Sequence, residues 1–209
     1  MKYYITIFIL LFSIKIISEY NQNILVIKII TPIVTMVSLL VVISRYYNKF
    51  NSKSNYLLIA FILLALMGDI AMTIFESTIT GLIFFALSHV ILISILLFKI
   101  HSFKGLLVPI TALLLFVMII LYQKFTGLNE ILTKAIPVYI ALAIASVVLS
   151  FEYFLENNKR GLIPMTGIVL FFISDIILGI FNFWIPIPNE GFYIWLAYGP
   201  GIFLIALTL

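Results

Sequence analysis

The sequence predicts an all-α fold: a polytopic membrane helix bundle of about eight transmembrane helices, with no soluble domain of any size. Two observations predict it. Hydrophobic residues make up 64% of the 209 and charged residues only 10%, against roughly half and a quarter in ordinary globular domains. The apolar residues also come in continuous runs close to the roughly 20 residues that a spanning helix needs. Lipid offers no partner for backbone N–H and C=O, so each run must close its own hydrogen bonds as a helix. A spanning barrel would alternate apolar and polar residues in roughly ten-residue units instead.

The spans fall at about 3–18, 24–43, 56–75, 80–98, 105–122, 133–151, 162–183 and 192–209. Polar breakers separate them at Ser18–Asn23, Asn48–Asn55, Glu76–Thr80, His101–Gly105, Gln123–Lys134, Asn157–Gly161 and Trp184–Gly191. The first span reads as a retained helix. Lys2 is only a minimal basic start, no A-x-A cleavage pattern follows, and Lys15 interrupts the apolar run. With the N-terminus cytoplasmic, the inner side collects Lys2, Arg45, Lys49, Lys53, Lys99, Lys104, Lys159 and Arg160. The outer side receives only Lys124 and Lys134. This eight-to-two split places both termini in the cytoplasm and the protein in the cell (inner) membrane.

The chain forms a single transmembrane domain, 1–209, that reads as two parallel four-helix repeats, about 1–104 and 105–209. Gly68-Asp69-Ile70-Ala71-Met72-Thr73-Ile74-Phe75 and Ser174-Asp175-Ile176-Ile177-Leu178-Gly179-Ile180-Phe181 share the pattern [GS]-D-I-x-[ML]-x-I-F. Their offset is 106 (175 minus 69), which also relates Lys28 to Lys134; Pro32 and Pro137 are one residue short of it. An even number of helices per half implies a repeat axis along the membrane normal.

The formal charge of +4 does not indicate nucleic-acid binding, because the basic residues lie singly or in small groups between apolar runs. With no cysteine, disulfides, thiol nucleophiles and thiolate metal sites are excluded. No GxxxxGK[ST], GxGxxG, HExxH or GxSxG motif is present.

An ionisable residue inside a span costs a few kcal/mol, so it faces the bundle interior and usually has a task. Asp69 and Asp175 are the clearest cases. Each lies about thirteen residues beyond the cytoplasmic start of its span, roughly 20 Å into the bilayer at 1.5 Å per residue. Positions i+4 and i+7 from Asp69 are Thr73 and Glu76; from Asp175 they are Gly179 and Asn182. These stripes predict a wet cleft opening outward, with a carboxyl from each half at its base. Two close carboxyls in a low dielectric do not both ionise, which suits general acid/base chemistry. The alternative is an inter-helix clamp that only fixes packing.

His89 lies mid-span and is either a satisfied interior histidine, a group orienting an Asp, or a contact to a polar substrate. It has no second His at metal-ligand spacing. Lys28 either snorkels to the interface or meets a phosphate or carboxylate in the cleft. Tyr139 taken alone reads as an interface aromatic, and Lys15 and Glu152 read as structural residues near helix ends.

The ordered set Lys28-x3-Pro32, Gly68-Asp69, Gly81-x3-Phe85-x3-His89, Pro137-x-Tyr139, Gly167-x3-Phe171-x2-Ser174-Asp175 and a last apolar helix with Tyr198 and Gly199 resembles the YhhN-like family of membrane lysoplasmalogenases. Lys28-x3-Pro32 departs from the family pattern, in which Lys and Pro are adjacent. The resemblance implies an eight-helix ether hydrolase that cleaves the vinyl ether bond of a lysoplasmalogen to a fatty aldehyde and a glycerophospho-base. It implies no metal or organic cofactor. The family's aspartates fall on Asp69 and Asp175, with Ser174 in the second motif, and its histidine on His89. The partners expected are the lysophospholipid substrate and membrane lipid. The competing class is a small proton-coupled transporter or channel, for which parallel repeats and buried acids would also serve. Against it, Pro32, Pro109 and Pro137 sit near span starts and no strongly broken helix pair is visible.

Overall fold

The computed structural model describes residues 2–46, 53–102 and 130–209. Seven helices account for nearly all of them. They are α1 (Lys2–Tyr20), α2 (Ile24–Tyr46), α3 (Lys53–Thr73), α4 (Thr78–Lys99), α5 (Glu130–Asn157), α6 (Lys159–Phe183) and α7 (Glu190–Thr208). All seven are long and apolar enough to cross a membrane, and no strand occurs among the described residues. The polytopic all-α bundle is the fold, and seven of the expected spans are these helices. The remaining one, 105–122, lies outside the described residues.

Two details differ from the sequence reading. Helix α5 continues past residue 151 to Asn157. Its last turn is held there because the Glu156 carboxylate accepts from the backbone N–H of His101 at 3.0 and 3.2 Å. Pro32 and Pro137, expected at helix starts, lie inside α2 and α5. Membrane helices tolerate this because neighbouring groups re-satisfy the carbonyls that an internal proline frees.

Among the described residues, short turns join α1 to α2, α3 to α4, α5 to α6 and α6 to α7, and Gln22, Glu76, Asn158 and Asn189 adopt φ of 52–53° in them. Ser77 caps α4, its hydroxyl accepting from the Thr80 N–H. Gln22 Nε2 donates to Asn189 Oδ1 at 3.0 Å, so the α1–α2 and α6–α7 turns share one face of the bundle. The His101–Glu156 contact places the ends of α4 and α5 together on the opposite face, so these two helices run parallel. Helix α1 begins and α7 ends on that opposite face too.

Packing closes a ring. Helix α2 packs on α3, α3 on α4, α4 on α5, α5 on α6, α6 on α7, and α7 back on α2; α1 lies outside, against α2 and α7. At the centre Phe171 is fully buried. It stacks on the His89 ring at 4.8 Å and meets Phe61, Phe85 and Tyr198 at 5.9, 6.4 and 5.7 Å. Gly167 and Gly201 let α6 and α7 cross closely. A Cβ on Gly201 would stand 2.9 Å from the Phe171 backbone N and 3.0 Å from the Gly167 carbonyl oxygen. Small residues at such crossings carry membrane packing, because lipid removes the hydrophobic drive between helices.

Candidate active site in the bundle interior

Two cavities meet inside the half of the bundle that holds the α1–α2, α3–α4 and α6–α7 turns. One, of about 410 Å³, is the more polar of the two; Asp69, Thr73, Glu76, Ser174, Asp175 and Tyr198 are among its walls, with Glu19, Thr31, Glu190 and Trp195. The other, of about 420 Å³, is apolar except for Thr78, Tyr139, Asp175 and Asn182. Met72, Thr78, Asp175, Leu178 and Asn182 line both. Asp175 therefore stands at the junction, and Asp69 shares the polar cavity with it.

The two carboxyls are held differently. Asp69, on α3, is buried. Its Oδ2 accepts two hydroxyl hydrogen bonds, one from Thr35 on α2 and one from Tyr198 on α7, the latter at 3.0 Å. These two O–H donors fix that oxygen as an acceptor and hold Asp69 between α2 and α7. Asp175, on α6, is also buried, and its Oδ2 lies 3.0 Å from Nε2 of the fully buried His89. His89 Nδ1 lies 3.1 Å from Ser146 Oγ, and the Ser146 hydroxyl donates to the Ala143 carbonyl at 2.7 Å.

These partners fix the protons. Ser146 has a single hydroxyl proton, and its bond to Ala143 uses it, so Nδ1 of His89 is the donor toward Ser146. Nε2 and Asp175 Oδ2 then share one further proton, as imidazolium–carboxylate or as imidazole–carboxylic acid. Asp175, at one end of this pair, lines the same cavity as the hydroxyl-clamped Asp69 carboxyl group.

The remaining expected site residues divide. Thr73, Ser174 and Asn182 line the polar cavity, but each gives its donor to its own helix: Thr73 to the Asp69 carbonyl, Ser174 to Phe171 and Asn182 to Leu178. Thr73 and Ser174 offer the cavity oxygen lone pairs, and Asn182 offers its amide oxygen and a second N–H. Lys28 lines neither cavity. It is 38% exposed and its Nζ lies 2.6 Å from Oε1 of Glu76, itself 71% exposed. This surface pair, not a buried phosphate contact, is where the structure places Lys28. Its ammonium holds the Glu76 carboxyl below the ordinary carboxylate range. Tyr139 is not an interface aromatic: it is buried, and its ring meets His89 edge-on at 5.6 Å.

Sequence reasoning missed four residues. Thr35 and Ser146 were not singled out, and Tyr198 was noted only within a motif. Lys15, read as a structural residue near a helix end, has more contacts than that reading gave it. It is fully buried, paired with Glu19, bonded to Thr31 Oγ1 at 2.5 Å and placed 4.7 Å from the Trp195 ring centroid. Glu19, Thr31 and Trp195 all line the polar cavity, so Lys15 stands just behind its wall. Among the described residues, no three His, Asp or Glu side chains gather to hold a metal ion.

No curated protein and no solved structure matches this chain. The model of the YhhN family matches residues 27–209. Thr35, Asp69, His89, Tyr139, Ser146, Asp175 and Tyr198 all fall within the match, while α1 with Lys15 and Glu19 precedes it. A match running from the first turn of α2 to the last residue establishes that the chain belongs to the YhhN family.

Proposed function

We propose that this protein is an intramembrane ether hydrolase that cleaves the vinyl ether bond of lysoplasmalogens, releasing a fatty aldehyde and a glycerophospho-base. The observation that carries the reading is the place of the Asp175–His89 proton pair. It stands where an apolar cavity meets a polar one that also contains Asp69. An amphiphile with its reactive bond between chain and head group fits that junction: chain in the apolar cavity, head group in the polar one. Glu190 in the polar wall suits a head group that carries an ammonium, whereas Glu19 is committed to Lys15.

The chemistry follows from the proton inventory. The Asp175–His89 pair gives its proton to the β-carbon of the vinyl ether, and the π electrons form the new C–H bond. The resulting oxocarbenium ion faces the Asp69 carboxylate. Water adds to the cationic carbon and its proton passes to Asp69, which returns it to the pair through the shared cavity. The hemiacetal then loses its hydroxyl proton, the carbon–oxygen bond to glycerol breaks, and the departing oxygen gains a proton. Two carboxyls divide similar work in glycoside hydrolysis.

Both termini in the cytoplasm, which the distribution of Lys and Arg supports, would set the cavities in the outer half of the membrane. The helix ring also supports reading the chain as a duplication. A two-fold along the membrane normal would carry α2, α3 and α4 onto α5, α6 and α7. Each Asp then bonds to the last helix of the other half, at Tyr198 or His89, and has a hydroxyl residue beside it on the preceding helix of its own half, Thr35 or Tyr139, of which Thr35 alone makes a hydrogen bond.

The test is aldehyde release by the purified protein from a lysoplasmalogen in mixed micelles, with the saturated alkyl ether lysolipid as control. Aldehyde from the vinyl ether alone is the expected result. A folded protein that releases none, whatever the head group, overturns the reading; proton flux in liposomes would then favour the transporter.

A further inference from the structure

We infer that Tyr139 is a specificity-determining residue whose hydroxyl donates to a free hydroxyl on the glycerol carbon next to the scissile ether. The inference rests on the proposed hydrolysis. Tyr139 is 6% exposed, its hydroxyl is buried, and that oxygen has no hydrogen-bond partner among the described residues. An unpaired phenol in an apolar site is costly, so one that persists points to a partner outside the chain.

Its surroundings say which partner. The side chain lines the apolar cavity near its junction with the polar one. The ring is fixed edge-on against His89. The hydroxyl stands close to the Asp175 carboxyl and interacts with it, without a hydrogen bond of ordinary length and angle. The other tyrosine of the site is unlike it, because Tyr198 spends its hydroxyl on Asp69.

A free donor next to a carboxylate acceptor is complementary to a group that both accepts and donates. A hydroxyl does both, whereas an ether or ester oxygen only accepts. The ether oxygen is a poor partner for a second reason: it carries positive charge in the oxocarbenium ion, so a donor aimed at it would oppose the reaction. The nearest hydroxyl in a lysolipid is on the adjacent glycerol carbon. Acylating or removing it would leave Tyr139 unpaired, and sites built to bond a substrate hydroxyl reject analogues that lack it.

The experiment pairs a change in the protein with a change in the lipid. The parent protein and Tyr139→Phe are given two saturated alkyl ether lysolipids that cannot be hydrolysed, one with the glycerol hydroxyl and one without. Removing the hydroxyl should weaken binding to the parent by about tenfold and leave binding to Tyr139→Phe nearly unchanged. The same ratio should appear in kcat/KM for the two matching vinyl ethers. The variant should melt at or above the parent temperature, because it keeps the ring contacts and loses an unpaired hydroxyl. Equal hydroxyl preference in parent and variant overturns the assignment, as does a parent indifferent to the hydroxyl. The binding ratio needs no turnover, so it decides this point even where aldehyde release fails.

Discussion

Changing Asp175 to Asn should separate catalysis from folding more cleanly than any other single substitution. His89 Nδ1 is committed to Ser146, so a neutral imidazole presents Nε2 as an acceptor toward position 175. An Asn amide can donate to it across the same 3.0 Å contact. The exchange keeps a hydrogen bond and leaves no buried group unpaired, and one neutral bond is worth only about 0.5–1.5 kcal/mol. Stability should therefore change by about 1 kcal/mol or less. The transferable proton is lost, and general acid catalysis is worth about 10²–10⁴ in rate, or roughly 3–5 kcal/mol in the barrier. Asp69→Asn should behave alike, since the amide oxygen still accepts from Thr35 and Tyr198 while the negative charge is gone. The double variant should be little slower than either single one, because the pair acts as a unit. The assay is aldehyde release per folded molecule, with folding followed by melting in detergent. Near-parental turnover in both variants would make the acids packing clamps. Activity lost only in proportion to folding would do the same.

Further outcomes follow from the same geometry. His89→Ala should lower the melting temperature, because it leaves Asp175 buried without its partner at a cost of about 1–3 kcal/mol. Its rate should fall less than that of either Asp variant, and a deeper loss would make His89 the primary acid. Reporter fusions after Asn51 and Lys104 should score cytoplasmic and those after Ser77 and Asn129 external; the inverse pattern would move the site to the inner leaflet. The exposed Lys28–Glu76 pair contributes stability above the ordinary carboxylate range of Glu76 and loses it as pH falls through the lowered value. Glu76→Gln should therefore lower stability slightly near neutrality and flatten the acid limb, so that the two stability–pH curves converge once pH falls below the lowered value.

The helices were legible because long apolar runs have no other soluble or membrane-embedded solution. Asp69 and Asp175 were legible for a related reason, since charge in such a run is expensive without a task. Their partners were not. Thr31, Thr35 and Ser38 form a buried hydroxyl stripe at i, i+4 and i+7 on α2, and Tyr139, Ala143, Ser146 and Ser150 form another on α5. The spacing can be read from the sequence. Hydroxyls in apolar helices, however, are cheaply satisfied by their own backbone, as Thr31, Ser146 and Ser150 show, so a stripe does not announce what it faces. That depends on helix rotation, which inter-helix packing sets. Lys15 was underestimated because Glu19, one turn later, neutralises it and makes its burial tolerable. Of the two readings of Lys28, snorkelling is the one its position fits, because its long stem lets the charge reach Glu76 at the surface.

The dependence of the site on packing can itself be tested, at the crossing of α6 and α7. A methyl group added at Gly201 would meet backbone atoms of Phe171 and Gly167 at 2.9 and 3.0 Å, and backbone cannot turn aside as a side chain can. The helices must separate, and overpacking of this kind costs about 1–3 kcal/mol. The displaced residue is Phe171, whose ring stacks on His89 at 4.8 Å, and His89 positions the proton on Asp175. Gly201→Ala should thus reduce turnover per folded molecule as well as melting temperature, although position 201 lines neither cavity. Gly179, on α6 where it lines the apolar cavity, is the control for stability alone. A methyl group there meets nothing within 4 Å, so Gly179→Ala should be neutral in stability or gain up to about 1 kcal/mol from helix propensity. Parental stability and turnover in Gly201→Ala would show that the α6–α7 approach does not set the position of His89, and that the proton pair is held by its hydrogen bonds alone.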